Sequence, residues 1–139
     1  GKVVIQTMNT NYSVLKFLLL DDYKKFYEAE ILHREKFNYP PFTRLVSIVL
    51  KNKDKKKLDE AALFFSHEMK TVLGKRVLGP AEPHISKIQN FHLSQILLKL
   101  EKSSNILKLA KQKISDTAFK LSSEFNIRNT LVEIDVDPY

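Results

Sequence analysis

The sequence contains no cysteine. A disulfide framework, a cysteine-ligated zinc site and a thiol nucleophile are therefore excluded, and the redox compartment stays open. Glycine is almost as scarce. Gly1, Gly74 and Gly79 are too few and too scattered to cradle a phosphate, and no nucleophile-elbow or kinase-like motif occurs. Three glycines and five prolines also fall short of a low-complexity linker or a fibrous repeat. The longest apolar run, Phe17-Leu18-Leu19-Leu20, is far too short to cross a bilayer. No charged segment followed by an apolar run opens the chain, so no signal peptide is read. The opening Gly1-Lys2-Val3-Val4-Ile5 lacks an initiator Met and is expected to be a cut from something larger.

What is there amounts to one ordinary domain, or one small domain plus a piece of another, in 139 residues. With 43% hydrophobic and 28% charged residues, a packed core is possible and wholesale disorder is not expected. The net charge of +7 favours polyanions: nucleic acid, an anionic membrane surface or an acidic peptide.

Residues Lys2 to Thr7 read as a short apolar strand of the kind buried in a parallel sheet. Asn11 is expected to cap a helix over Tyr12 to Leu20, and Asp21 or Asp22 to restart helix through about Glu35, with Tyr23, Phe26, Tyr27 and Ile31 on a stripe. Tyr39-Pro40-Pro41-Phe42 ends it and marks a domain boundary, because both prolines lack an amide donor. Beyond it the period changes. Arg44 to Leu50 alternates as a strand. Asp54 caps an amphipathic helix with Leu58, Ala61, Ala62, Phe65, Met69, Val72 and Leu73 inward, ended by Gly74. Gly79, Pro80 and Pro83 leave room only for a short strand beginning near His84. Gln89-Asn90-Phe91 then links to a strand over Leu93 to Leu100. Ser103 or Ser104 opens a long helix with Leu107, Ala110, Ile114, Ala118, Leu121 and Phe125 inward, and Thr130 to Val136 is a final strand. The order β-α-β-β-α-β predicts an α+β fold: a ferredoxin-like split βαβ arrangement, a four-stranded antiparallel sheet with two helices on one face. The first strand and two helices do not fit that plan. Residues 1–38 read as the truncated tail of a preceding α/β domain, and 39–139 as the domain proper.

The most conspicuous charge cluster is Lys51-Asn52-Lys53-Asp54-Lys55-Lys56-Lys57, where a strand hands over to a helix. Three of its lysines fall in the first helical turn, where the dipole disfavours each cation by roughly 0.3–1 kcal/mol. A segment that tolerates this suits phosphate contact, or else is a solvated turn capped by Asp54 alone. Lys75-Arg76, Lys87, Lys99 and Lys102 add charge at other loops and strand ends. Phe91 and His92, read as lying between two strands, supply an aromatic beside basic residues, as base stacking needs; the bland alternative is a core or turn residue. The strand from Leu93 carries no aromatics, so a stacking platform across the sheet face is not expected. Glu133, Asp135 and Asp137 alternate without a second acidic cluster, and His33, His67, His84 and His92 lack ligand spacing. On its residues alone this chain is a binding module and not an enzyme.

Several segments taken together resemble the C-terminal part of the PriA (primosomal protein N′) family. They are Gly1-Lys2-Val3-Val4-Ile5-Gln6-Thr7, Asp22-Tyr23 with Phe26-Tyr27, Glu30 and Arg34 before Tyr39-Pro40-Pro41-Phe42, Leu78-Gly79-Pro80-Ala81-Glu82-Pro83, Gln95-Ile96-Leu97-Leu98-Lys99 and Ile134-Asp135-Val136-Asp137-Pro138. They span the whole chain in order. Two departures stand out: Asn9-Thr10-Asn11-Tyr12 replaces an Asn-Pro and a His, and His92 stands where the family has an Arg ahead of Gln95. The resemblance implies a bacterial, cytoplasmic replication-restart protein, an ATP-dependent 3′-to-5′ DNA helicase acting at forks in the nucleoid. Residues 1–38 would be the end of its second helicase lobe, and 39–139 its C-terminal domain, similar in fold to a small-subunit ribosomal protein. ATP, Mg and Zn are implied for parts of such a protein that lie outside these residues, and no cofactor or metal is expected here. The implied partners are branched and single-stranded DNA, single-stranded DNA-binding protein, other primosome proteins and the rest of the helicase chain, with no membrane. Candidate DNA contacts are Lys51, Lys53, Lys55, Lys56, Lys57, Lys75, Arg76, Lys87, His92 and Lys99. The alternative is a structural brace that docks the acidic tail of single-stranded DNA-binding protein and has little DNA affinity. A small ferredoxin-like enzyme such as an acylphosphatase lacks its phosphate loop here.

Overall fold

A computed structural model describes residues 1–123, 127 and 129–138. The chain divides into two units, residues 1–37 and 38–139.

The first unit holds two helices, α1 (Ser13–Leu19) and α2 (Tyr23–Lys36). The strand expected over Lys2 to Thr7 is absent: the segment is irregular, with Val3, Val4 and Ile5 exposed. An apolar strand needs neighbours to pair its backbone and cover both faces, and none is present among the described residues. Asn11 is not the cap of α1. Its N–H donates to Asn9 Oδ1, and Tyr12 holds the cap position without a side-chain bond. Asp22 does cap α2, its carboxylate accepting the Lys25 N–H at 3.1 Å. Neither helix buries a residue, and the aromatic stripe of Tyr23, Phe26 and Tyr27 with Phe17 packs ring to ring at 6.3–6.4 Å.

The second unit is the α+β fold. Its elements are β1 (Thr43–Asn52), α3 (Lys55–Leu73), β2 (Val77–Ala81), β3 (Lys87–Ile88), β4 (Phe91–Glu101), α4 (Ser104–Ser123) and β5 (Leu131–Val136). The antiparallel sheet runs β2-β4-β1-β5, with β3 pairing β4 as a short hairpin arm. Leaving that arm aside, this is the ferredoxin-like order, with central strands β1 and β4. Val46, Ile48 and Leu50 of β1 meet Ile96, Leu98 and Leu100 of β4 on the face that α3 and α4 cover with Leu58, Phe65, Met69, Leu73, Ala110, Ile114 and Leu121. Period-2 strands supply one face and period-3.6 helices the other, which is why the core follows the sequence pattern so closely.

Three details differ from expectation, and a fourth is not described. Val72 is 40% exposed, because Leu73 already fills the core position at the end of α3. The strand placed near His84 is two elements. β2 begins at Val77 and admits Gly79 and Pro80 because it is an edge strand whose register shifts between Leu78 and Ala81, so the missing proline donor breaks no ladder bond. β3 is only Lys87 and Ile88. Phe91 and His92 belong to β4 itself: Gln89-Asn90 alone forms the turn, Gln89 taking φ +53°, and Phe91 pairs with Ile88. Phe125, expected inward on α4, lies outside the described residues.

Helices α3 and α4 leave the other sheet face uncovered, although Leu45, Ser47 and Leu93 on it are buried. Odd-numbered residues of β1 and β4 lie on it, including Ser47, Val49, Lys51, Phe91, Gln95 and Lys99. Gln95 Nε2 donates to Ser47 Oγ at 2.8 Å across the strands. At one end of this face Leu45 is buried, and its cross-strand neighbour Lys99 holds its Nζ 3.8 Å from the Tyr39 ring centroid, folding the Tyr39 segment over this end.

Candidate nucleic-acid interface

The lysine-rich segment forms the corner where β1 enters α3. Asp54 caps α3 through bonds from the N–H groups of Lys56 (2.9 Å) and Lys57 (3.3 Å). Asn52 is buried beneath. Its Nδ2 donates to Thr130 Oγ1 at 2.9 Å, and its Oδ1 accepts the Asp54 N–H at 2.9 Å. The turn is thus pinned from below, and its lysines are held at fixed places around it.

Acidic partners sort the ten candidate cations. Lys51 pairs with Glu133 across the open face. Lys55 Nζ lies 2.8 Å from Asp59 and 2.9 Å from Glu82, and those two carboxylates, Asp59 first, raise its pKa. Arg76 Nε lies 2.6 Å from Glu101, which raises the guanidinium pKa while Arg76 lowers that of the carboxylate. These three charges are largely spent inside the fold. Lys53 Nζ stands 5.5 Å from the Phe91 ring centroid. Lys56, Lys57, Lys75 and Lys87 have no carboxylate within ion-pair reach among the described residues.

Position sorts them again. Register places His92 beside Asn52 on one side and Lys87 on the other, so Lys87, His92, Lys53, Lys56 and Lys57 share one end of the sheet. Lys75, Arg76 and Lys99 lie toward the opposite end, where Thr43 pairs with Glu101, about 30 Å away along β1 at ~3.3 Å per residue. The structure therefore brings together five of the ten without a carboxylate partner among the described residues, with the paired Lys51 and Lys55 at the same end. The i+4 pairing of Lys55 with Asp59 is legible in the sequence, but its second partner Glu82 and the Glu101 partner of Arg76 are not, because both are distant in the chain. The sequence also hid Leu131, whose half-exposed side chain lines a cleft with Lys53, Lys57 and Phe91; the signal was only the apolar first position of the last strand.

A second concave feature lies on the other side of the molecule. An apolar groove of about 660 Å³ runs between α4 and β5, lined by Leu107, Ile114, Ala118, Ile134 and Val136 with Arg44 and Lys111 at its edge. Arg44 is engaged by the Asp137 carboxylate. Among the described residues no three His, Asp or Glu side chains come together as a metal ion would need, and the chain has no cysteine. No described helix is long and apolar enough to cross a membrane.

Residues 35–139 match the family described as the primosomal protein N C-terminal domain. The chain is 30% identical over 138 residues to the replication restart protein PriA of Borreliella burgdorferi, covering 98% of this chain and 20% of that protein. It is 30% identical to PriA of Treponema pallidum, covering 99% and 20%, and 34% identical to PriA of Chlamydia muridarum, covering 99% and 18%. The chain spans about a fifth of the length of these relatives. The match over two thirds of its residues, including the whole α+β unit, means that this chain belongs to the primosomal protein N C-terminal domain family.

Proposed function

We propose that residues 38–139 act as a non-catalytic DNA-contacting domain of a PriA-like replication-restart helicase, holding phosphate backbone without reading sequence. The observation that carries this reading is the sheet end where Lys53, Lys56, Lys57 and Lys87 converge without acidic partners among the described residues. Cations that the fold does not neutralise can displace condensed counterions from a nucleic acid, and that release drives sequence-independent binding. Lys55 and Arg76, although basic, contribute less, since their carboxylate partners already compensate them. The relatives are named replication restart proteins, so branched and single-stranded DNA and other primosome proteins are the partners proposed, together with the remaining, ATP-hydrolysing parts of a longer chain. Residues 1–37, whose helices bury nothing, fit the end of a helicase lobe completed by preceding sequence.

The test is fluorescence anisotropy with single-stranded, duplex and three-way-fork DNA at several salt concentrations. Binding at low salt that weakens steeply as salt rises is expected. Absence of binding to all three would contradict the proposal.

The apolar groove favours a second reading. Its exposed Ile134 and Val136 beside Lys111 suit an acidic peptide ending in a large apolar residue, such as the tail of single-stranded DNA-binding protein. A labelled acidic peptide with a terminal Phe that binds where DNA does not would make this domain a brace and docking surface.

A further inference from the structure

The corner cleft holds more than charge. It has a volume of about 380 Å³, at the small end of the 300–1,000 Å³ range of ligand pockets, and Phe91, Leu131, Lys53 and Lys57 form its walls. Phe91 is the first residue of β4, and the strand's alternation puts its side chain on the open face with Lys51 and Leu93. The ring is partly exposed, and the group over it is the ammonium of Lys53, 5.5 Å from the centroid. Leu131 offers a second apolar surface, 53% exposed. The fixed polar groups around the cleft are already spent inward: Asn52 on Thr130 and the Asp54 N–H, and Asp54 on the N–H groups of Lys56 and Lys57. Asn129 is the one lining amide without a partner among the described residues.

We infer that this cleft receives one unpaired nucleobase, stacked on Phe91 in place of the Lys53 ammonium, while Lys53 and Lys57 take the flanking phosphates. The inference rests on the backbone-contact reading and adds to it a choice of strand. Bases within a duplex are already stacked and paired, so the cleft selects single strands and the frayed arms of a branch. With Asn129 the one side-chain amide among the described lining residues left to meet a base edge, discrimination between bases is weak. A π-face is all that the site requires.

The test compares an octamer of thymidine with an abasic octamer of equal charge, by anisotropy on the intact 139-residue chain. The chain is expected to bind the thymidine octamer about fivefold or more tighter, the ratio that stacking one base supplies. Phe91→Leu should bring that ratio close to one with an unchanged salt slope. Phe91→Tyr should preserve it, which separates loss of the ring from loss of the fold. Equal, salt-dependent binding of both octamers by the wild-type chain would overturn the stacking site and leave the backbone reading standing. A ratio that survives Phe91→Leu would overturn the assignment to this cleft. Binding of neither octamer would overturn both.

Discussion

Gly79 has a φ of +99°, and a Cβ built on it would lie 2.8 Å from the carbonyl oxygen of Gln95, a backbone atom on the central strand. Its own carbonyl accepts bonds from Ser66 Oγ at 3.1 Å and Lys70 Nζ at 2.9 Å, so α3 is tied to β2 at this point. Gly79→Ala therefore combines an unfavourable φ with a collision that no flexible side chain can relieve. It is expected to lower the urea-unfolding free energy by at least about 1 kcal/mol. Thr117 shows the opposite balance. It is 1% exposed on the inner face of α4, and its hydroxyl has no hydrogen-bond partner among the described residues. A buried hydroxyl left unsatisfied costs about 1–3 kcal/mol, so Thr117→Val, which keeps the branched shape, is expected to stabilise the chain by about 1 kcal/mol in the same measurement. Neither position could have been picked from the sequence. Gly79 reads there only as a breaker, and Thr117 as a polar residue on an amphipathic helix, because the atom each one meets belongs to a distant strand or to the core.

Among the elements, α3 and α4 are held to each other at their outer edges by one carboxylate. Glu68 accepts from Lys113 Nζ at 2.9 Å and Lys120 Nζ at 3.1 Å, and these two bonds, Lys113 the larger, hold its pKa down to about 2. A carboxylate whose folded pKa is depressed contributes stability above its unfolded pKa, and that contribution fades as pH falls toward the folded value. Thermal melts of Glu68→Gln should therefore show a lower Tm than wild type at pH 7. The difference should shrink between pH 4.5 and about 2. An offset that does not change over that window would assign the effect to packing instead. The elements were the most legible part of the sequence. The inward stripe of α3 apart from Val72, the described part of the stripe of α4, the Asp54 cap and the alternation of β1 stand where period and capping predict them. β2 was misplaced because Gly79-Pro80 is a strong break signal locally, and only its position on a sheet edge makes it tolerable. The opening apolar run was misread for the converse reason, since strand propensity without a partner forms no ladder.

At the scale of the molecule, the basic character resolves into a used and an unused share. Lys51, Lys55 and Arg76 are tied to carboxylates, while the charges at the β1–α3 corner and the β3–β4 hairpin face outward together. The lysine run at 51–57 was visible in the sequence, and so was the aromatic beside it. Their juxtaposition with Lys87 and Leu131 was not, because it depends on a two-residue strand and on the register of β5. A DNA contact carried by this corner is tested most directly by the salt dependence of binding. For about four phosphate contacts on a single strand, log K against log salt should fall with a slope of about −3. The combined replacement of Lys53, Lys56, Lys57 and Lys87 by Gln should flatten that slope toward zero. A slope unchanged by the four substitutions would contradict the claim and make these lysines solvated surface.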